Sequence, residues 1–212
     1  MNFKNLTVLI CLFIFASCDS PNSKPTDSDK SAVNDSLGNL QELEQFALAS
    51  KKITDTVLLD YRFGMTKEQV LNHTQELYNK GKIKRNYNDK YYFEIQSKTN
   101  EKYKGYLIAE YYKEKLFLIG LTFADESSNI MVFSTLSDLL KDKYGDADMM
   151  EKPITDMNVY ERYWIRNNLK IRLSTGITDA VVQYIDLRYE KQKVLADSTE
   201  KANSEKQIKS NL

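Results

Sequence analysis

Tyrosine and lysine are interleaved along residues 82–115, and no other stretch of the chain has side chains so well suited to binding chemistry. Aromatic rings beside cations can stack on sugars or bases and can contact anionic groups. The same composition is typical of a plain exposed sheet face, because tyrosine favours strands and lysine protects strand edges. The composition favours the plain face, and the candidates for a binding face are Tyr91, Tyr103, Tyr111, Tyr112 and Lys113.

His73 is the only histidine in the sequence, and Glu76 follows it by three residues. On a helix the two side chains would share one face and could form half of a metal site. A zinc site needs three or four ligands, and without a second histidine only carboxylates could complete this one. We therefore expect no metal or other cofactor, and we interpret His73 as a surface histidine.

Asp146, Asp148 and Glu151 are spaced somewhat like the acidic ligands of a calcium loop. The segment lacks the glycine and the distal glutamate of an EF-hand, so a polar helix exit is the better interpretation. The sequence also has no nucleophile elbow, phosphate-binding glycine loop or HExxH pattern. These observations predict a non-catalytic protein. The alternative is a small hydrolase whose carboxylates are brought together only by the fold.

The amino-terminal segment has the layout of a secretory signal peptide. Lys4 precedes an apolar run over residues 6–16, and the small residues Ala16 and Ser17 close that run just before Cys18. The run is too short to span a bilayer, which takes about 20 apolar residues. The sequence therefore predicts that residues 1–17 are removed, which would also remove Cys11, the one other cysteine.

Ala16, Ser17 and Cys18 resemble the lipobox of bacterial lipoproteins, with Phe15 where that family commonly has leucine. The resemblance implies that the Cys18 sulfur carries a diacylglycerol and that the new amine is acylated, for example with palmitate. Two or three acyl chains hold a protein stably at a bilayer, since each buried methylene contributes about 0.8 kcal/mol. The expected location is the Gram-negative cell envelope, with the outer membrane favoured over the inner and the lipid bilayer as a partner.

Charge and composition narrow the choice of further partners. The chain has 30 basic and 30 acidic residues, a balance that gives no support for binding to nucleic acid. A hydrophobic content of 42%, with 14 tyrosines and 9 phenylalanines, is typical of a globular domain. An envelope protein or a glycan is the partner that fits these properties.

The composition changes along the chain and divides it into segments. Residues 18–35 are rich in serine, aspartate and proline, which predicts a flexible tether. Residues 36–52 have apolar side chains at spacings of three and four, which predicts a short amphipathic helix. We expect residues 53–190 to form the globular domain and residues 191–212 to be a polar tail, either a frayed helix or disordered.

The same order of elements is predicted twice within residues 53–190. Thr66 and Gln69 form a capping box that begins a helix, and Gly81 ends it. Ile130 and Phe133 begin the apolar stripe of a second helix, which Gly145 ends. Strand-like runs follow each helix, at residues 91–97, 103–112 and 116–124 and then at residues 159–165, 169–173 and 181–189.

These elements predict an α+β fold. Lys113 and Glu114 suit a tight turn between strands, as do Asn167 and Asn168, because asparagine tolerates positive φ. Tandem helix-plus-three-strand units are expected to form one or more antiparallel sheets, with the helices packed on one face.

The helix start FGMTKEQV resembles that of SmpA/OmlA-type outer-membrane lipoproteins, and KYGDA at residues 143–147 resembles the helix exit of such domains. The tandem order also resembles the fold of the β-lactamase-inhibitor protein, and the overall pattern resembles bacterial lipoproteins of no assigned activity. The resemblance implies a role in scaffolding, envelope assembly or protein binding.

Overall fold

A computed structural model describes residues 28–124, 129–151, 159–176 and 178–210. The predicted signal peptide, the lipidation site Cys18 and the first part of the predicted tether lie outside these residues. The described helices are α1 (Ser28–Ala49), α2 (Lys67–Asn79), α3 (Asn129–Tyr144) and α4 (Leu187–Ser210). Among them, no helix is both long and apolar enough to cross a membrane.

Eight antiparallel strands form one continuous sheet. The first half contributes β1 (Lys84–Arg85), β2 (Tyr91–Gln96), β3 (Lys102–Tyr112) and β4 (Lys115–Phe123). The second half contributes β5 (Met149–Glu151), β6 (Glu161–Arg166), β7 (Leu169–Thr175) and β8 (Ala180–Asp186). The strand order is β1-β2-β3-β4-β8-β7-β6-β5, so the halves meet where β4 pairs with β8. The predicted tandem arrangement is confirmed, and each half has in addition one short outer strand.

Helices α2 and α3 lie on the same face of the sheet, as predicted. Their inward side chains share one apolar core with β4, β7 and β8. Helix α3 buries four apolar residues there, Val132, Phe133, Leu136 and Leu140, whereas α2 buries only Val70 and Leu77 together with the polar Thr74. The two helices therefore cover their halves of the sheet to different extents.

The predicted ends of α2 are confirmed by its capping contacts. The backbone N–H of Gln69 donates to the Thr66 hydroxyl at 3.2 Å, and the backbone N–H of Thr66 donates to the Gln69 side-chain carbonyl at 2.9 Å. This reciprocal pair satisfies two amides that the first helical turn leaves unpaired. Gly81, just beyond the helix, has a φ of 68°, a conformation that favours glycine.

Helices α1 and α4 contact the opposite face of the sheet through Lys170 of β7. The Lys170 Nζ lies 2.9 Å from Oε1 of Glu44 on α1 and 2.6 Å from Oε2 of Glu190 on α4. Helix α1 begins at Ser28, so residues 28–35 of the predicted tether are helical in this structure. The predicted polar tail is likewise helical as far as Ser210.

Candidate functional site

An open cleft of about 630 Å³ lies between α2 and the sheet. Because α2 contacts β4, the neighbouring strand β3 is left partly uncovered. We call this cleft the α2 groove. Its wall, floor and ends are formed by Lys67, Val70, Leu71 and Thr74 of α2, by Leu107 and Ala109 of β3 with Ile119 of β4, and by Tyr91 and Tyr111.

The register of the strands gives the length of the α2 groove. Tyr92 pairs with Tyr106, which places Tyr91 beside Leu107, and Tyr111 lies four residues further along β3. At about 3.3 Å per residue this is a distance of about 13 Å. On the helix side, Gln75, which is bonded to Tyr91, lies eight positions after Lys67, which is next to Tyr111. At about 1.5 Å per residue this gives about 12 Å.

A β-bulge holds the amino terminus of α2 beside Tyr111. Tyr111 pairs with Leu116, whereas the preceding Glu110 pairs with Leu118, so β4 has one extra residue at this point. The backbone of Leu116 bonds outward to the loop before α2: its N–H donates to the Met65 carbonyl at 2.8 Å, and its carbonyl accepts from the Gly64 N–H at 2.8 Å. The mouth of the groove is therefore fixed by backbone contacts.

The second half of the sheet has no equivalent groove among its described residues. On β7 the side chains that face α3, Leu169, Ile171 and Leu173, are at most 1% exposed. On β3 the side chains that face α2 include the half-buried Leu107 and the exposed Ala109. The two halves share their topology, so the difference arises from the smaller side chains of β3 and from the position of α2.

Two tyrosine hydroxyls at the α2 groove are used in internal hydrogen bonds. The Tyr61 hydroxyl donates to Oγ1 of Thr74 at 2.6 Å, because the Thr74 hydroxyl itself donates to the Val70 carbonyl at 2.7 Å. Burial raises the pKa of Tyr61. The Tyr91 hydroxyl donates to Oε1 of Gln75 at 3.0 Å. These bonds fix both rings against α2.

Tyr111 differs from these two tyrosines. Its hydroxyl has no hydrogen-bond partner among the described residues, and partial burial raises its pKa. A hydroxyl without an internal partner on a half-buried ring is available to a ligand, because no hydrogen bond within the protein has to be broken first. Tyr111 is therefore the polar group of the α2 groove that is best placed to contact a ligand.

Cationic side chains lie at both ends of the α2 groove. At one end the Lys67 Nζ is 5.7 Å from the centre of the Tyr111 ring. At the other end the Arg85 guanidinium is 5.5 Å from the centre of the Tyr91 ring, and Lys90 lines the groove beside it. Lys67 also pairs with Glu114, and Arg85 with Asp89, but these pairs are exposed and contribute little to stability. A ligand can therefore compete for both cations.

The five residues proposed as a binding face do not share one face of the sheet. Tyr91 and Tyr111 line the α2 groove, and Tyr103 is buried on the same face, with its hydroxyl bonded to Glu101. Tyr112 faces the opposite side, and Lys113 lies in the following turn with its Nζ 5.2 Å from the Tyr112 ring centre. Successive strand residues point to opposite faces, which separates Tyr111 from Tyr112.

His73 has a structural role that the sequence did not indicate. It is half-buried, its Nε2–H donates to the Leu59 carbonyl at 2.8 Å, and its ring packs edge-to-face on Tyr61 with 4.6 Å between centres. Glu76 instead pairs with Lys80 on the helix surface. Within the part of the chain that the structure describes, no group of histidine, cysteine and acidic side chains could hold a metal ion.

The acidic residues after α3 bind neighbouring cations. Asp146 pairs with Lys141 at 2.6 Å, and this contact lowers the pKa of the Asp146 carboxyl. Asp148 pairs with Arg166 at 2.6 Å and also accepts from the Ile165 backbone N–H at 2.6 Å. Glu151 lies in β5. Asp146 and Asp148 therefore stabilise the helix exit and the start of the β5–β6 pair.

A second, smaller cleft of about 230 Å³ separates α3 from the β2–β3 turn. It contains two carboxylates, Asp138 and Asp142, and is crossed by a 2.8 Å ion pair between Lys98 and Asp138. The hydrogen bond from Lys98 lowers the pKa of the Asp138 carboxyl. A general acid needs a raised pKa, so Asp138 has the properties of a structural ion pair.

The sequence did not predict most of the residues that form the α2 groove. Ala109 is a small residue within the bulky strand sequence YLIAEYY, and this is the one sequence signal that could have indicated a gap under a helix. Leu107, Leu71 and Lys67 carry no signal of their own. Comparison with models of protein families, with curated proteins and with solved structures finds no match. The resemblances noted from the sequence therefore stay predictions, and the geometry alone describes the site.

Proposed function

We propose that this protein is a non-catalytic binding module of the Gram-negative cell envelope, held at the membrane by lipid on Cys18, and that the α2 groove is its binding site. The observation that supports the proposal best is the exposure of Ala109. This residue lies in the middle of a sheet strand on the face that helices cover, a position that is normally buried. An open, largely apolar cleft of this size falls within the range of about 300–1,000 Å³ of ligand sites.

Attachment is supported by the lipobox-like sequence at Cys18 and by the position of α1. This helix has 22 residues and a length of about 33 Å, at about 1.5 Å per residue. Lys170 fastens its carboxyl-terminal part to the sheet face opposite the α2 groove. In a chain anchored by lipid on Cys18, α1 would lie between the membrane and the sheet. The groove is on the opposite face of the sheet, so α1 would not obstruct it.

Binding is favoured over hydrolysis by the chemistry of the α2 groove. Among the described residues that line it, Asp89 is the single carboxylate, and it pairs with Arg85 at 3.2 Å. Hydrolysis by carboxylates needs two such groups in one site, one of them with a raised pKa. Apolar side chains and tyrosine rings form most of the remaining surface, with the cations Lys67 and Lys90 at its ends, which is the composition of a recognition site.

The attachment is tested by metabolic labelling. The full gene is expressed in a Gram-negative host with an alkyne-bearing palmitate, and Cys18→Ala is compared with Cys11→Ala. We expect label in the unmodified chain and in Cys11→Ala, and none in Cys18→Ala. Equal labelling of Cys18→Ala would exclude lipidation at this cysteine.

The binding site is tested by photo-crosslinking in the cells that make the protein. The photo-crosslinking residue p-benzoylphenylalanine is placed at Leu71 in the α2 groove or, as a control, at Ile130 on α3. The two side chains are 61% and 59% exposed, so the crosslinker would be similarly accessible to solvent at either position. We expect a crosslinked partner from position 71 alone, and its loss when Ala109→Phe fills the groove. A product from both positions, or one that Ala109→Phe does not affect, would contradict the assignment of the site.

A further inference from the structure

We infer that the α2 groove binds an extended segment of a partner protein, about four residues long, with apolar side chains in the middle and acidic residues at both ends. This inference rests on the proposed function, because it assigns the ligand of the same site. It follows from three properties of the groove: its length, its apolar floor and the position of its cations.

The length of the groove matches a short extended peptide. The distance from Tyr91 to Tyr111 is about 13 Å along β3, and an extended chain advances about 3.3 Å per residue. Four residues therefore span the space between the two rings. The rings of Tyr91 and Tyr111 at the two ends are each only partly buried, so the chain of a longer protein can continue past either ring.

The floor of the groove selects apolar side chains. Leu107, Ala109 and Ile119 are its base, and Val70 and Leu71 form the helix side. A glycan placed there would bury several sugar hydroxyls, yet the Tyr61 and Tyr91 hydroxyls are already bonded to Thr74 and Gln75. Of the Tyr61, Tyr91 and Tyr111 hydroxyls, only that of Tyr111 has no internal bond among the described residues. Each hydroxyl buried without a partner costs about 1–3 kcal/mol. The groove therefore fits an apolar side chain better than a sugar ring.

The cations select acidic flanks. Lys67 lines the Tyr111 end and pairs there with Glu114, and Lys90 lines the Tyr91 end together with Asp89, which pairs with the Arg85 that packs on the Tyr91 ring. These three cations outnumber the two carboxylates, and both pairs are exposed, so an acidic ligand can take the place of either carboxylate. A simple amphiphile such as a fatty acid has one anionic end and can contact the cations at only one end of the groove, while the cation at the other end keeps its exposed pair with Glu114 or Asp89. A peptide with acidic residues on both sides of its apolar centre contacts the cations at both ends. Rim charges of this kind contribute chiefly to specificity and association rate.

The inference is tested with the full-length chain in phosphatidylcholine nanodiscs and fluorescein-labelled peptides, followed by fluorescence anisotropy. The probe is EELFLEE, and its controls are KKLFLKK, which reverses the flanks, and EESGSEE, which removes the apolar centre. We expect EELFLEE to bind at least about tenfold more tightly than either control. Ala109→Phe should weaken this binding at least about tenfold, whereas Leu195→Phe, on the exposed surface of α4, should leave it unchanged.

Several outcomes would overturn the inference. Equal binding of KKLFLKK and EELFLEE would show that the groove does not distinguish the charge of the flanking residues. If EELFLEE did not bind at about 1 mM, a peptide of this class would be excluded as the ligand. Binding of peptidoglycan fragments that Ala109→Phe abolishes, in the absence of peptide binding, would assign a glycan instead. In that last case the proposed function stands, because the groove is still the binding site. A positive Leu71 crosslink with a negative peptide result separates the two claims in the same way.

Discussion

Ala109 of β3 and Ile119 of β4 are paired neighbours in the sheet and face the same helix, yet Ile119 is buried and Ala109 is exposed. Helix α2 lies close enough to β4 to cover Ile119 and too far from β3 to cover Ala109. The α2 groove is the consequence of this offset. The residues that line the groove are of common types, and they are accessible to a ligand only because of the position in which α2 is held.

The first prediction concerns this pair of residues. Ala109→Phe adds a ring to open space, so the free energy of unfolding should change by no more than about 0.5 kcal/mol. Ile119→Ala removes a buried side chain and should cost about 2–5 kcal/mol. Urea denaturation of both variants measures the difference. A loss above about 2 kcal/mol for Ala109→Phe would mean that the space at residue 109 is not open.

The second prediction concerns the contact that joins α1 and α4 to the sheet. The Lys170 side chain is 10% exposed, and Lys170→Met would leave Glu44 and Glu190 without their shared cation. We expect a loss of about 2 kcal/mol in urea denaturation. This is less than the roughly 3–5 kcal/mol of a fully buried pair, because both carboxylates keep some solvent.

A matched control for Lys170 is Lys141, whose ion pair with Asp146 is just as short but is exposed to solvent. Lys141→Met should leave the free energy of unfolding nearly unchanged, because the attraction between exposed charges is screened by solvent. Adding Glu44→Gln and Glu190→Gln to Lys170→Met should recover part of the loss. Equal effects at Lys141 and Lys170 would show that burial of the Lys170 contact adds nothing.

The third prediction concerns the hydrogen bond beneath the α2 groove. Tyr61→Phe removes the donor to Thr74, while the Thr74 hydroxyl keeps its own bond to the Val70 carbonyl. The expected cost is about 1 kcal/mol in the free energy of unfolding. Tyr91→Phe removes a more exposed hydroxyl and should cost no more than about 0.5 kcal/mol. A larger loss for Tyr91→Phe than for Tyr61→Phe would contradict this order.

The fourth prediction concerns alkaline pH. Burial raises the pKa of Tyr184 well above the usual value of about 10, and a hydrogen bond with Tyr144 adds to the effect. Above about pH 10 the unfolded chain releases this phenol proton while the folded chain keeps it, so stability falls as pH rises. Tyr184→Phe should make the decline of the free energy of unfolding between about pH 10 and 11 shallower.

Tyr87 provides the control for this measurement, because its side chain is 94% exposed. Tyr87→Phe should leave the pH dependence unchanged. If Tyr184→Phe and Tyr87→Phe gave the same slope as the unmodified chain, the phenol of Tyr184 would not be protected by the fold.

Local signals in the sequence were sufficient to predict the helix ends and the turns of the fold. The capping contact of Thr66 and Gln69, the positive φ of Gly81 and Gly145, and the turn at Asn167 are all present. Each of these features depends on a few adjacent residues, so it could be predicted without knowledge of the tertiary structure. The apolar stripe predicted for α3 is wrong at its first residue. Ile130 is exposed, and Val132 is buried instead.

The site depends on contacts between residues that are distant in sequence, and these could not be predicted. The offset of α2 is determined by the Leu116 backbone contacts with Gly64 and Met65 and by the packing of Tyr61 on His73. The predicted binding face rests on composition, and composition does not distinguish Tyr111 in the groove from Tyr112 on the opposite face. Strand alternation would have separated these two neighbours.

Occupancy of the α2 groove in the cell is the central claim, and a thiol at residue 109 tests it most directly. Ala109→Cys and the control Leu195→Cys are each treated with a maleimide, in native membranes and after purification into nanodiscs, and the modified peptides are quantified by mass spectrometry. A bound partner should slow modification of Ala109→Cys in native membranes at least about tenfold relative to the purified chain, since a tenfold effect needs only about 1.4 kcal/mol of binding. Leu195→Cys should react equally in both. Equal rates for Ala109→Cys in the two preparations would contradict the proposal that this groove is a binding site.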